Sequence, residues 1–348
     1  MTPPGAATTW LAWSLWERFK RPILLVADGP RSLDRLYRDA HSFAGTLAPQ
    51  PAYYPAWESL PGHGAPPHVD LLGDRFAALT ALGSSSPPAI TLTCVQALMQ
   101  HALPPDALRL QRSILQLGQE LELDAFIKQL DGEGFSFSTE VTQKGQAAMR
   151  GGILDLWPTT SDWPVRVELF GSTIDSLRTF DPSDQKSRSK IKSIELAPVR
   201  EPLDQLTATV FDHLPREAII VWHERERIAH HAALYDEVIG ETATAEYTVS
   251  FEELRKKSGA WAQIELVSVE STPGEARALD FSPFRRRTRS RQRCFAAGSG
   301  GAGTATRRCG AQHPRAGRRN RPPLLQHTRC AGTLLGNIRE AAALERFF

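Results

Sequence analysis

Several groupings of side chains in this 348-residue sequence have types and spacings that chemistry can use. His63, His68 and Asp70 crowd one Pro/Gly-rich stretch and could form a metal or acid–base site, although a solvated or helix-capping role is the simpler reading. Cys309, His313, His327 and Cys330 can be counted as four zinc ligands, but they lack the paired Cys-x-x-Cys knuckle of common zinc modules. Glu120, Glu122, Asp124 and Glu133 cluster near a helix start, where the helix dipole and solubility account for them. Cys94 stands alone beside an apolar run and reads as core. The run 165–170 alternates, placing Val165, Val167 and Leu169 on one face of a strand and Arg166, Glu168 and Phe170 on the other. The first face reads as core. The second sets an aromatic ring among charges, which is the composition of a protein-binding patch, against the simpler option of a surface Phe shielded by a loop.

These residues need elements to position them. The runs 149–158, 164–171 and 174–181 are β-prone and separated by turn-forming residues, so they predict an antiparallel meander. Before them, Thr8 or Thr9 is placed to cap a helix reaching Lys20. Ile23 to Ala27 predicts a buried strand closed by Asp28-Gly29-Pro30, and 31–43 a helix. A strand at 89–93, a helix at 95–101 and a helix at 121–130 ended by Asp131-Gly132 follow. After Pro198 and Pro202 the rhythm resumes, with a strand at 218–222, a helix at 224–235 and a strand at 264–269. Strands alternating with helices predict a mainly parallel sheet covered on both faces, interrupted by the β-rich unit.

Length allows about two domains with ordinary cores. No run approaches the ~18 apolar residues that span a bilayer. Trp10, Trp13 and Trp16 run directly into Glu17, Arg18, Lys20 and Arg21, which is no export signal, so a cytoplasmic location is expected. The net charge of +2 hides a split: residues 285–329 hold 13 Arg and no Lys, Asp or Glu, leaving 28 basic against 39 acidic residues elsewhere. An acidic body argues against broad DNA binding. Residues 285–348 are Arg/Gly/Ala-rich and lack apolar periodicity, as in Ala296-Ala297-Gly298-Ser299-Gly300-Gly301, and disorder is expected there. Arg without Lys or acids is what a GC-rich gene gives when read out of frame. A basic arm for nucleic acid is the alternative.

The order of the motifs carries a resemblance. Met149-Arg150-Gly151-Gly152-Ile153-Leu154-Asp155-Leu156-Trp157-Pro158, then Pro164-Val165-Arg166-Val167-Glu168-Leu169-Phe170-Gly171, then Ile174-Asp175-Ser176-Leu177-Arg178-Thr179-Phe180-Asp181 resemble the UvrB-like module of bacterial transcription-repair coupling factors. Pro55-Ala56-Trp57-Glu58-Ser59-Leu60-Pro61 with Pro67-His68-Val69-Asp70-Leu71 through Arg75, and Val95-Gln96-Ala97-Leu98-Met99-Gln100, agree in place and order. The resemblance covers roughly residues 1–284. It implies a degenerate helicase-like α/β domain of the phosphate-loop NTPase type (1–111 and 199–284), interrupted by a small α+β UvrA-interaction domain (112–198).

The resemblance also implies a non-catalytic UvrA-binding module in nucleotide excision repair, with Arg150, Arg166 and Phe170 as the contacting residues. Local ion pairs that merely hold the meander are the alternative role for Arg150 and Arg166. The family's polymerase-binding and translocase domains are not represented, so the chain reads as a truncated product and polymerase binding is not expected. Related UvrB-type proteins carry a phosphate loop, and its counterpart here, Pro3-Pro4-Gly5-Ala6-Ala7-Thr8-Thr9, lacks the second glycine and the lysine. ATP hydrolysis and bound cofactors are therefore not expected, and threading of DNA by residues 53–71 is not expected either, because that segment is short and its Tyr53-Tyr54 pair runs at once into Pro55. An active UvrB-type helicase component and an Arg-tailed nucleic-acid binder are the rival readings.

Overall fold

The computed structural model describes residues 5–45, 49–59, 67–240 and 246–267. The zinc grouping, the Arg-rich tail and His63 lie outside them. Along the chain run α1 (Gly5–Phe19), β1 (Ile23–Ala27), α2 (Pro30–Ala44), β2 (Ala52–Tyr54), α3 (Val69–Leu82), β3 (Ile90–Cys94), α4 (Val95–Met99) and α5 (Pro105–Leu110). Next come β4 (Ser113–Gln116), α6 (Leu123–Gly132), β5 (Ser136–Phe137), β6 (Gln146–Arg150), β7 (Ile153–Leu156), β8 (Val165–Phe170), β9 (Thr173–Phe180), β10 (Ser187–Lys190) and β11 (Ser193–Leu196). The chain then returns to α/β order with β12 (Ile219–His223), α7 (Arg225–Gly240), α8 (Phe251–Ser258) and β13 (Ala262–Leu266).

The first sheet is wholly parallel, in the order β13-β12-β1-β3-β2. Its central strands are continuous apolar runs because both faces are covered: every residue of β1, β3 and β12 is buried. β1, β2, β3 and β12 are each followed by a helix before the next strand of the sheet, as parallel connection requires. The helix at the N-terminus starts at Gly5, so Thr8 and Thr9 lie inside it, and the Thr9 hydroxyl donates to the Ala6 carbonyl. The capping role expected of them is thus corrected. Ala6 and Ala7 are strong helix formers, which lets the helix start before the threonines. The phosphate-loop counterpart, from Gly5 onward, is the first turn of this helix.

The second sheet has six strands, in the order β10-β9-β8-β7-β6-β5, antiparallel except for β5 beside β6. The single run expected at 149–158 is two strands, folded back at Gly151-Gly152 so that Arg150 faces Ile153. Gly151 has φ +61, a left-handed conformation that glycine adopts without strain. One face packs Leu154, Leu156, Val165, Val167, Ile174 and Leu177 against Phe126 and Leu130 of α6. The other face carries a smaller apolar group of Val141, Ala148 and Phe180, with Trp157 packed beside it. β4 and β11 pair as a separate two-stranded ribbon at the entry and exit of this unit.

The β-rich unit meets the α/β body along α3, where Lys144 pairs with Asp70 and Gly73 packs against Thr159. At Gly73 in α3, a Cβ would sit 2.3 Å from the Thr159 carbonyl, so only glycine permits this approach. Arg75, two residues further along α3, is fully buried. Its guanidinium lies 4.5 Å from the rings of both Tyr54 and Trp57, and donates to Pro55 O (2.9 Å), Gln100 Oε1 (3.3 Å) and His101 O (3.0 Å). Its Nε stands 3.5 Å from Glu201, just after the chain leaves the β-rich unit.

Candidate functional site

The strand β8 presents the residues singled out from sequence. Val165 and Val167 are fully buried, as the alternation requires, and Leu169 is partly buried against the same core. A register shift falls between Glu168 and Leu169, and Phe170, paired with Thr173, is the last strand residue before Gly171 and Ser172 turn into β9. Phe170 projects there with 83% of its surface exposed. Among the described residues the other exposed Phe rings, Phe43 and Phe137, keep only 47% and 42%. A ring left in water to this degree loses about 2 kcal/mol of available burial, which a partner can recover.

Arg166 has a different setting. Its Nε and Nη2 donate to the two oxygens of Asp155 at 2.7 and 2.8 Å, a fork-on-fork pair across β7 and β8. Nη1 donates to the Gln185 carbonyl at 3.3 Å, and Nη2 lies 3.4 Å from Gln185 Oε1. The guanidinium also covers the Phe180 ring at 4.7 Å. Asp155 is 6% exposed at its side chain and Arg166 19%, so the pair is nearly closed off from water. The face that sequence alternation assigned to solvent is therefore covered at this end, by Phe180 and by the loop carrying Gln185. Asp155 within the apolar run Ile153–Leu156 was the sequence signal for that pairing, since a carboxylate in a buried strand needs a cation.

Arg150 lies at the end of β6, half exposed, and donates to the Thr139 carbonyl at 2.6 Å and to Glu140 at 3.2 Å. It shares no partner with Arg166 in these contacts. Glu168, between Arg166 and Phe170, pairs with Arg178 of β9. Among the described residues Phe170 is thus the most exposed aromatic ring, while the two arginines are engaged within the domain.

The other groupings resolve into structure. His68 is the N-cap of α3, its Nδ1 accepting the Asp70 N–H at 3.3 Å, and Asp70 pairs with Lys144 at 2.8 Å. Glu122 and Asp124 stand at the N-terminus of α6, where the dipole favours them, while Glu133 follows its other end and hydrogen-bonds Gln129. Cys94 is fully buried at the end of β3, and burial pushes its thiol up to about 11. No group of three His, Cys, Asp or Glu is placed to hold a metal among the described residues, and no helix there is long and apolar enough to cross a membrane.

Residues 114–201 match the UvrB interaction domain family. The transcription-repair-coupling factor of Escherichia coli (strain K12) is 31% identical over 225 residues, covering 64% of this chain and 19% of that protein. That of Myxococcus xanthus is 33% identical over 204 residues, 57% of this chain and 17% of the relative, and that of Bacillus subtilis (strain 168) is 27% identical over 197 residues, 57% and 16%. The chain spans less than a fifth of the length of these relatives. Over these residues the chain is similar to the N-terminal part of transcription-repair-coupling factors, and the segment matching the UvrB interaction domain lies within the α/β body.

Proposed function

We propose that the six-stranded unit docks UvrA through the β8–β9 end, in transcription-coupled nucleotide excision repair, and that this chain does so without turning over ATP. Phe170 carries the reading. It is an aromatic ring with 83% exposure on a rigid hairpin, at the tip of a strand whose other end is locked by the Asp155–Arg166 pair. Aromatic anchors of this kind dominate binding energy at protein interfaces. The parallel sheet supports a helicase-like ancestry, and the helical first turn at Gly5–Thr9, with neither glycine-rich loop nor lysine, supports a body that binds no nucleotide phosphate.

Arg166 serves in this scheme by holding β7 and β8 in register beneath the anchor, and Arg150 by tying β6 to the segment at Thr139–Glu140. The test is calorimetric titration of the chain with UvrA. Phe170→Ala should weaken binding at least about tenfold, the loss of one anchor residue, with the circular dichroism spectrum unchanged. Undiminished binding by Phe170→Ala would remove this face from the interaction. Added ATP should leave no hydrolysis above buffer.

A further inference from the structure

The charge of the β-rich unit is unevenly spread. Residues 112–198 contain 10 Lys and Arg against 13 Asp and Glu, yet four of those ten cations, Lys186, Arg188, Lys190 and Lys192, fall within seven consecutive residues that contain no acid. The run KSRSKIK forms β10 and its continuation toward β11. β10 is the outer strand of the six-stranded sheet, and all four of its residues are exposed. Lys190 stands opposite Arg178, which in turn stands opposite Arg166, so a cross-strand row of cations runs from the middle of the sheet to its edge.

Those cations are not equally committed. Arg166 and Arg178 have carboxylate partners, Lys186 pairs with Asp184 at 3.1 Å, and Arg188 lies 3.7 Å over the Trp163 ring beside Asp181. Lys190 and Lys192 have no carboxylate partner among the described residues, and both are exposed. Ser187, Ser189 and Ser193 interleave with them.

From this we infer that the β10 edge is a contact surface for the phosphate backbone of DNA, separate from the Phe170 anchor. Composition selects the partner. Lys and Ser are depleted at protein–protein interfaces, where aromatic and apolar anchors dominate. Lys, Arg and Ser are the side chains that hold phosphate oxygens, and they do so without reading sequence. Edge lysines also discourage the addition of a further β-strand, which leaves electrostatic contact as what this edge offers. The two unpaired ammonium groups are the ones available to release counterions; each phosphate neutralised on a duplex contributes about 0.9 to the slope of log affinity against log salt.

The experiment is fluorescence anisotropy of a labelled duplex with the full chain across a salt series. It compares the unaltered protein with Lys190→Ala/Lys192→Ala and with Lys128→Ala/Lys256→Ala, exposed lysines on α6 and α8. The Arg-rich residues 285–329 are common to all three, so differences report the substituted sites. The edge variant should bind more weakly at every salt concentration, and its slope should fall by about 2, while the helix variant matches the unaltered protein. Equal slopes for all three proteins would overturn the assignment. So would a loss confined to UvrA binding, which would make the edge a protein contact. Self-association of the edge variant with DNA binding intact would likewise overturn it, leaving the lysines as guards against strand addition.

Discussion

Arg166→Ala should destabilise the β-rich unit by about 3 kcal/mol, the low end of what is lost when one partner of a buried ion pair is removed. The low end applies because Arg166 keeps 19% of its side chain in water, whereas Asp155 keeps 6%. Removing the guanidinium leaves Asp155 with neither of its two charge-assisted hydrogen bonds, and Phe180 without the cation above its ring. Urea unfolding should register this as a midpoint lowered by about 1.5 M for a slope near 2 kcal/mol/M. Hydrogen-exchange mass spectrometry should place the lost protection in peptides spanning β7, β8 and β9. Asp155→Leu/Arg166→Leu should recover most of the loss, since an apolar pair of similar volume leaves no charge stranded. Phe170→Ala, by contrast, should stay within about 0.5 kcal/mol of the unaltered protein, as an exposed site does. If Arg166→Ala and Phe170→Ala unfold at the same urea concentration, the account of Arg166 as an internal clamp is wrong. The distinction matters for binding studies, because weakened UvrA binding by Arg166→Ala would then report folding as well as contact.

Gly73→Ala should destabilise the junction between α3 and the β-rich unit by more than the roughly 1–3 kcal/mol of ordinary overpacking, because backbone at Thr159 must move; limited proteolysis of the 157–164 loop is the readout. Arg75→Met should cost about 3–5 kcal/mol in chemical denaturation, stranding Glu201 and three acceptors. Burial holds the imidazoles of His213 and His223 below their ordinary 6.5, so the unfolded chain binds more protons than the folded one below that pH. Stability should therefore be intact above pH 6.5 and fall as pH drops through the window beneath it, by up to about 1.4 kcal/mol per unit for each group. His213→Gln/His223→Leu should flatten that dependence in unfolding series at pH values on either side.

How far the sequence could be read depended on whether a segment's signal was local. β1 was legible because five apolar residues end in Asp28-Gly29-Pro30, which admits only a buried strand and a turn. β2 was not, since three residues between Pro51 and Pro55 carry too little pattern to stand apart from a loop. The alternation in β8 correctly placed Val165 and Val167 inside and Phe170 outside. It misjudged the surroundings of Arg166, because strand parity gives the face of a residue and not what covers that face. Cover came from Phe180 and Gln185, whose positions depend on the register of β8 with β9 and on the turn after residue 180. The Gly151-Gly152 reversal was present in the sequence as a two-glycine turn, hidden within a run that looked continuous.

The parallel pairing of β1 with β12 joins Ile23 to Ile219, residues that leave the ribosome 196 positions apart. At roughly 5–20 residues per second, β1 waits on the order of 10–40 seconds for that neighbour. During this interval Ile23-Leu24-Leu25-Val26-Ala27 has β3 on one side and an open edge on the other, a template for unwanted strand pairing. The six-stranded unit, whose pairings are nearly all between consecutive strands, can form while the body is still incomplete. Biogenesis thus runs inside out: the docking unit matures first, and the domain that carries it closes only when β12 and β13 arrive behind it.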